Sequence, residues 1–271
     1  MDSAYKSIDV ELDDQVATVS LLPQEDTMES DELVDLHWDL GDAFSHLRGN
    51  NDVRVVVLQS AAIDHFYYPP AGDVMESDLG ESFLVDPVGA WHTWTGILRL
   101  HAEMAELEKP IVAKVHGDAA SFGQSLVLAC DLIVAAEDAV IVDSHMDNSS
   151  DLPGSRISVV PGDGGGALAP LYFSPPLAKE YLMLSRAFTA AELAEFGLIN
   201  YAVPSSELDE KVDELVDGLL SRSAYALAWT KRIANRHVVH QLNQTLDASA
   251  AYEMVTFLQH ALTQRDPDRL A

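Results

Sequence analysis

The 271-residue chain is 48% apolar and 22% charged, enough for a substantial core, and 16 Lys and Arg against 44 Asp and Glu give a formal net charge of −28. Such acidity repels phosphate backbones and anionic lipid, which sets aside nucleic acid and membrane surfaces as partners. The single cysteine, Cys130, sets aside a disulfide framework and any multi-cysteine metal site. No apolar run reaches the roughly 18 residues of a spanning helix, and the polar start Met1-Asp2-Ser3-Ala4-Tyr5-Lys6 is unlike a signal peptide, so a cytoplasmic globular protein is expected.

Taken in chain order, Val16-Ala17-Thr18-Val19-Ser20-Leu21-Leu22 is short, β-branched and followed by Pro23, as a strand running into a loop would be. Ser30 can cap a helix in which Leu33, Leu36, Leu40, Phe44 and Leu47 recur at helical spacing, ended by Gly49-Asn50-Asn51-Asp52. Val53-Arg54-Val55-Val56-Val57-Leu58 reads as a strand buried on both faces. A helix over 91–107 stops before Pro110, and Ile111-Val112-Ala113-Lys114-Val115 is a second buried strand closed by His116-Gly117. Residues 125–129 are short and apolar and lead into a fourth strand over 130–135. Alternation of this kind predicts an α/β core of parallel strands joined by helices. After Pro175-Pro176 the chain is helical apart from an extended break over 197–204. We expect a core over 1–205 and an all-helical region over 206–271. Acidic residues recur along these helices, as in Glu207-Leu208-Asp209-Glu210, in the manner of a solvated surface rather than a focused site.

Several segments carry a resemblance in consistent order. Lys109-Pro110-Ile111-Val112-Ala113-Lys114-Val115-His116-Gly117, the run from Ala129-Cys130-Asp131 to Asp138-Ala139, Val160-Pro161-Gly162-Asp163-Gly164-Gly165 and residues 190–200 resemble the crotonase (enoyl-CoA hydratase/isomerase) superfamily. The resemblance implies a ββα spiral core with a C-terminal helical trimerisation region, assembled as a homotrimer or a dimer of trimers. It also implies two backbone N–H groups that hold a developing enolate or oxyanion. By position these fall at Tyr68, in Phe66-Tyr67-Tyr68-Pro69, and at Phe122, five residues past Gly117. Pro69, Ser121 and Phe122 replace glycines usual in the family.

Hydratases of the superfamily use two glutamates. The first position is Ser125 here, and the second falls at His145 or Gly154, depending on the end from which it is counted. The chain is more similar to the β-diketone hydrolase branch typified by 6-oxocamphor hydrolase, which cleaves carbon–carbon bonds without coenzyme A. The branch places an Asp after Pro-Gly (Asp163), a His upstream (His145) and a Glu in the C-terminal helix (Glu253). Here the stretch 146–155 lies between the first two, and Phe122 stands where the branch has a His.

The resemblance implies a retro-Claisen hydrolase. His145 would take a proton from water, Asp163 would accept the other ring N–H and fix its tautomer, and Glu253 would place water or return a proton to carbon. The substrate would be a small apolar cyclic dicarbonyl beside Phe66, Tyr67, Tyr68, Pro69 and Pro70, with no cofactor and no metal. Other readings stay open. By residue type, His145 suits a solvated loop beside Asp143 and Asp147, Asp163 suits a cap on the helix after it, and Glu253 suits the wet edge of an amphipathic helix. A CoA-thioester hydratase, isomerase or hydrolase, or a non-catalytic assembly protein, would share the fold. No His-Glu-x-x-His or paired-cysteine pattern suggests converging metal ligands, and Gly162-x-Gly164-Gly165-Gly166 lacks the lysine of a phosphate loop.

Overall fold

The computed structural model describes residues 5–23, 36–62, 64–67, 87–147 and 158–265. A six-stranded sheet runs in the order β1 (Ile8–Asp13), β2 (Val16–Leu21), β3 (Val55–Ser60), β5 (Ile111–Val115), β7 (Leu132–Ala136), β10 (Tyr201–Val203). All neighbours are parallel except β1 and β2, an antiparallel hairpin whose turn puts Asp14 at φ 49°, a left-handed conformation that Asp tolerates. A second sheet orders β4 (His65–Tyr67), β6 (Asp118–Ala120), β8 (Val140–Val142) and β9 (Phe188–Thr189). β1 and the whole second sheet go beyond the sequence reading, because their strands are short and carry little alternation.

The large sheet is covered on both faces, which explains its uninterrupted apolar runs. Along β3, Val56 and Leu58 face the main core with Leu40 and Phe44 of α1 (Leu36–Gly49) and Leu100 and Met104 of α2 (Pro87–Glu106). Val55 and Val57 point the other way, against Leu208, Val212 and Val216 of α7 (Leu208–Leu220). The remaining helices are α3 (Phe122–Ala129), α4 (Gly165–Tyr172), α5 (Pro175–Met183), α6 (Ala190–Glu195), α8 (Ala224–Ala234) and α9 (Arg236–Arg265). Helix α9 turns back over the core against α2 and α4, so its inner face reaches the ends of the small sheet. Among the described residues no helix is long and apolar enough to cross a membrane.

One buried ion pair fastens the C-terminal helices to the large sheet. Lys231 of α8 places its Nζ 2.6 Å from Asp131 Oδ2 and donates to the Lys109 carbonyl, while Asp131 also accepts from the Ile111 N–H at the start of β5. Asn235 donates to Asp131 Oδ1 and to the Ala105 carbonyl. Removing one member strands the other charge in a buried setting. Lys231→Met is therefore expected to lose about 3–5 kcal/mol of unfolding free energy in urea titration; a loss within a few tenths would show the clamp to be idle.

Candidate active site

The small sheet aligns two strand ends. Ala120 of β6 pairs with Val142 of β8, Ser121 continues the ladder by donating its N–H to the Val142 carbonyl, and the Ser121 and Ser144 hydroxyls meet at 2.7 Å. Immediately past one end begins α3 with Phe122. Immediately past the other come Asp143, Ser144 and His145. Ser121 sits at φ 48°, ψ −114°, a conformation rare for any residue but glycine, and of a kind that concentrates at functional sites. Phe122 is the first residue of its helix, so its N–H has no carbonyl one turn earlier to accept it, as an oxyanion donor requires.

His145, Asp163 and Glu253 converge. His145 Nε2 lies 3.2 Å from Asp163 Oδ2 and 3.4 Å from Glu253 Oε1, with all three side chains less than a tenth exposed. The His145 ring is enclosed rather than solvated, and Glu253 lies on the buried face of α9 with Leu246 and Ala250, opposite the exposed Tyr252 and Val255. Asp163 is not a helix cap. The residue before α4 is Gly164, without a side-chain cap, and the Asp163 carboxylate instead accepts from Ser125 Oγ at 2.9 Å.

The tautomer-fixing partner differs from the expectation. Asp143, not Asp163, holds Nδ1 of His145, at 2.7 Å. Asp143 accepts in turn from Gln124 Nε2, and Gln124 Oε1 accepts from the Tyr181 hydroxyl, a buried relay from α3 and α5. Asp163 and Glu253 therefore both face the other ring nitrogen. Asp143 lies two residues before His145 at the end of a strand, a position in which one carboxylate can reach both the ring and its backbone N–H. Tyr68 and Pro69, and most of the 146–155 stretch, lie outside the described residues.

The glycine-rich run makes this crowding possible. A Cβ at Gly165 would strike the Asp143 carboxylate and Gln124, one at Gly164 would strike His101 Nε2, and one at Gly162 would meet the Glu253 side chain. Gly164 also has φ 129°, which other residues rarely adopt. These glycines let backbone approach buried polar groups rather than a phosphate.

Two further histidines, separated widely in sequence, reach the same region. His37 of α1 packs its ring 4.3 Å from that of Phe122, whose other flank meets Tyr67 edge-on at 5.6 Å. His101 of α2 is fully buried beside Gly164 and donates from Nδ1 to the Ile97 carbonyl one turn earlier. A groove of about 520 Å³ between the end of α2 and helices α8 and α9, lined by Arg48, Glu108, Arg232 and His240, shares no residue with this cluster.

The charges are set by position. Burial opposes protonation of His145, but Asp163 and Asp143 overcome it and hold the imidazole well above its ordinary value. Burial likewise works against an ionised Asp163, yet the His145 charge and the hydrogen bonds from His145 and Ser125 bring its carboxyl below the usual range. For Glu253 burial prevails and pushes the carboxyl up to about 7. His101 is driven below the ordinary histidine value by burial, which the Ile97 carbonyl and Asp163 only partly offset. The expectation that no metal ligands converge needs correcting, since His145, Asp163 and Glu253 each offer a ligand atom within 4.8 Å of the others, a span that a divalent cation can bridge. Their charges also balance without one: imidazolium against Asp163, with Glu253 taking up a proton near neutrality.

Residues 30–265 match the family described as enoyl-CoA hydratase/isomerase. A carnitinyl-CoA dehydratase of Salmonella typhi is 30% identical over 196 residues, covering 72% of this chain and 68% of that protein. An enoyl-CoA hydratase/isomerase from Mycobacterium paratuberculosis superposes with a TM-score of 0.78 at 26% identity, over 96% of each chain. A β-diketone hydrolase from the cyanobacterium Anabaena, bound to (S)-3-oxocyclohexyl acetic acid, gives a TM-score of 0.78 at 21% identity, over 94% of this chain and 96% of that one, and so shares the fold.

Glu253 should leave a signature in stability. Its carboxyl titrates near 7 in the fold against an ordinary 4.5, so between those values the native state keeps a proton that the unfolded chain has released. Stability from this group therefore falls as pH rises through that window. Glu253→Gln is expected to gain on the wild type between pH 4.5 and 7 by up to about 3 kcal/mol in paired urea titrations. A difference that does not change with pH would contradict the buried, proton-holding carboxyl.

Proposed function

The chain belongs to the enoyl-CoA hydratase/isomerase family, and from that premise we propose that it hydrolyses a carbon–carbon bond of a 1,3-diketone without coenzyme A. The observation that carries this reading is the buried His145, held at one ring nitrogen by Asp143 and facing Asp163 and Glu253 with the other. Paired glutamates for hydrating an enoyl thioester have no counterpart in that arrangement, and Ser125 stands at the first of their two positions.

In the proposed reaction water adds to one carbonyl carbon, and the oxyanion is held by the Phe122 N–H and, by the family resemblance, that of Tyr68. Collapse of the tetrahedral adduct breaks the bond to the central carbon. The electron pair passes to the second carbonyl as an enolate, and a proton from Glu253 quenches it at carbon. His145, protonated at rest, contributes positive charge and a donor to the adduct rather than taking the proton that water sheds. Phe122 and Tyr67 offer the apolar wall that a small cyclic substrate would need. Exposed Tyr225, Trp229 and Ile233 on α8 and Tyr252 and Val255 on α9 support assembly as a trimer or a pair of trimers.

The carnitinyl-CoA dehydratase relative favours a second reading, in which the same cluster acts on a CoA thioester. Mixing the protein with cyclic 1,3-diketones and following loss of their ultraviolet absorbance separates the two. Turnover is expected, falling by about 10²–10⁴-fold in His145→Ala and Asp163→Asn. Rates unchanged in both variants contradict the mechanism; tight CoA binding with the diketones untouched favours the thioester reading.

A further inference from the structure

Hydrolysis as proposed needs an acceptor for the proton that water sheds, and the groups around His145 Nε2 are poorly suited to it. Both His145 ring nitrogens are engaged, Nδ1 by Asp143 and Nε2 by Asp163 and Glu253; Asp163 is committed to Ser125 and His145, and Glu253 serves the proposed reaction as the acid that quenches the enolate. Among the described residues, Glu253 Oε2 and His101 Nε2 are buried atoms of the region that lack a hydrogen-bond partner, and the second is a ring nitrogen with a lone pair. His101 is wholly buried, and its Nδ1–H is spent on the Ile97 carbonyl, which leaves Nε2 bare. No described residue donates to that nitrogen. An unmet buried acceptor costs about 1–3 kcal/mol, so a fold that keeps one has a use for it or a donor that arrives with the ligand.

Its placement argues for the second. Nε2 lies directly over the Cα of Gly164, where only the missing side chain leaves room, and Ser125 Cβ borders the same space. Asp163 precedes Gly164, and Ser125 Oγ donates to Asp163, so the bare nitrogen lies beside the segment that carries Asp163. We propose that His101 Nε2 is the proton acceptor for the attacking water, with the backbone of Gly164 shaped to expose it. The step rests on the hydrolytic reading above. An O–H bond of water breaks, its proton moves to Nε2, the oxygen bonds the carbonyl carbon, and the carbon–carbon pair leaves as the enolate that Glu253 protonates. His101 then returns its proton to the Glu253 carboxylate through solvent, which restores both groups.

The two imidazoles then divide the chemistry, because their surroundings push them in opposite directions: His145 upward, flanked by Asp143 and Asp163, and His101 downward by burial. The charged or titratable groups acting on His101 are Asp163, from the loop before α4, and His37 of α1.

Two substitutions separate the role from mere packing. His101→Asn keeps a donor for the Ile97 carbonyl and removes Nε2; His101→Gln puts an oxygen acceptor near the place of Nε2 that cannot take up a proton. Both are expected to lower kcat by about 10²–10⁴-fold on a 1,3-diketone that the wild type cleaves, with KM little changed, and to abolish the acid limb of the kcat profile. In histidine-selective ¹⁵N spectra of the full wild-type chain, His101 Nε2 should appear as a bare nitrogen at neutral pH. Its titration should coincide with that acid limb, a comparison that holds even if neither variant folds. Folded variants within threefold of the wild-type kcat, or a titration that misses the acid limb, overturn the role of His101 and leave the hydrolytic reading standing. A wild type inert toward every diketone overturns both.

Discussion

The site depends on one buried imidazole and the unequal carboxylates around it. A histidine ring enclosed in protein would normally stay neutral, since burial penalises the cation. His145 is held toward its charged form because Asp143 and Asp163 sit at its two ring nitrogens. That charge in turn lets Asp163 remain ionised in a place where water is scarce, while Glu253, with weaker compensation, holds its proton to about pH 7. Three carboxylates in one pocket thus acquire three characters: an orienting base for Nδ1, a permanent anion, and an acid poised near neutrality. Differences of environment, not of residue type, produce the division.

The fold supplies this arrangement by bringing four distant segments to the ends of two short strands. The register of β6 and β8 sets the start of α3 beside the segment from Asp143 to His145, and the Ser121–Ser144 contact ties the strand exits together. The glycines from Gly162 to Gly165 let the next segment lie against the charges with no side chain between, and α9 returns across the core to insert Glu253. Strain at Ser121 belongs to the same region: the chain leaves its strand in a conformation rare for residues other than glycine and enters α3 directly at Phe122.

How much of this was readable in the sequence follows the physics of each feature. Strands β3 and β5 announce themselves as unbroken apolar runs because both of their faces are covered, and α1 by the spacing of Leu36, Leu40, Phe44 and Leu47. The two- and three-residue strands of the small sheet carry no period, so the sheet that builds the site was the part left unread. His145, Asp163 and Glu253 stood out only through the family resemblance, since by residue type each had an ordinary structural explanation. The pairing of His145 with Asp163, eighteen positions apart, is present at Nε2, whereas the nearer Asp143 holds Nδ1 through local geometry at a strand end that a sequence does not display. His37 and His101 had no signal at all. They lie on helices remote in sequence, and only packing against Phe122 and Gly164 reveals them.

Family membership settles the fold, and the proposed chemistry turns on the protonation of the His145 ring. Nitrogen-15 spectroscopy of that ring in the folded protein, followed as pH rises past the ordinary histidine midpoint of about 6.5, reads it directly. A cationic His145 carries protons on both ring nitrogens at that midpoint, one directed at Asp143 and the other at the Asp163–Glu253 side. A His145 ring with an unprotonated Nε2 under those conditions would contradict it.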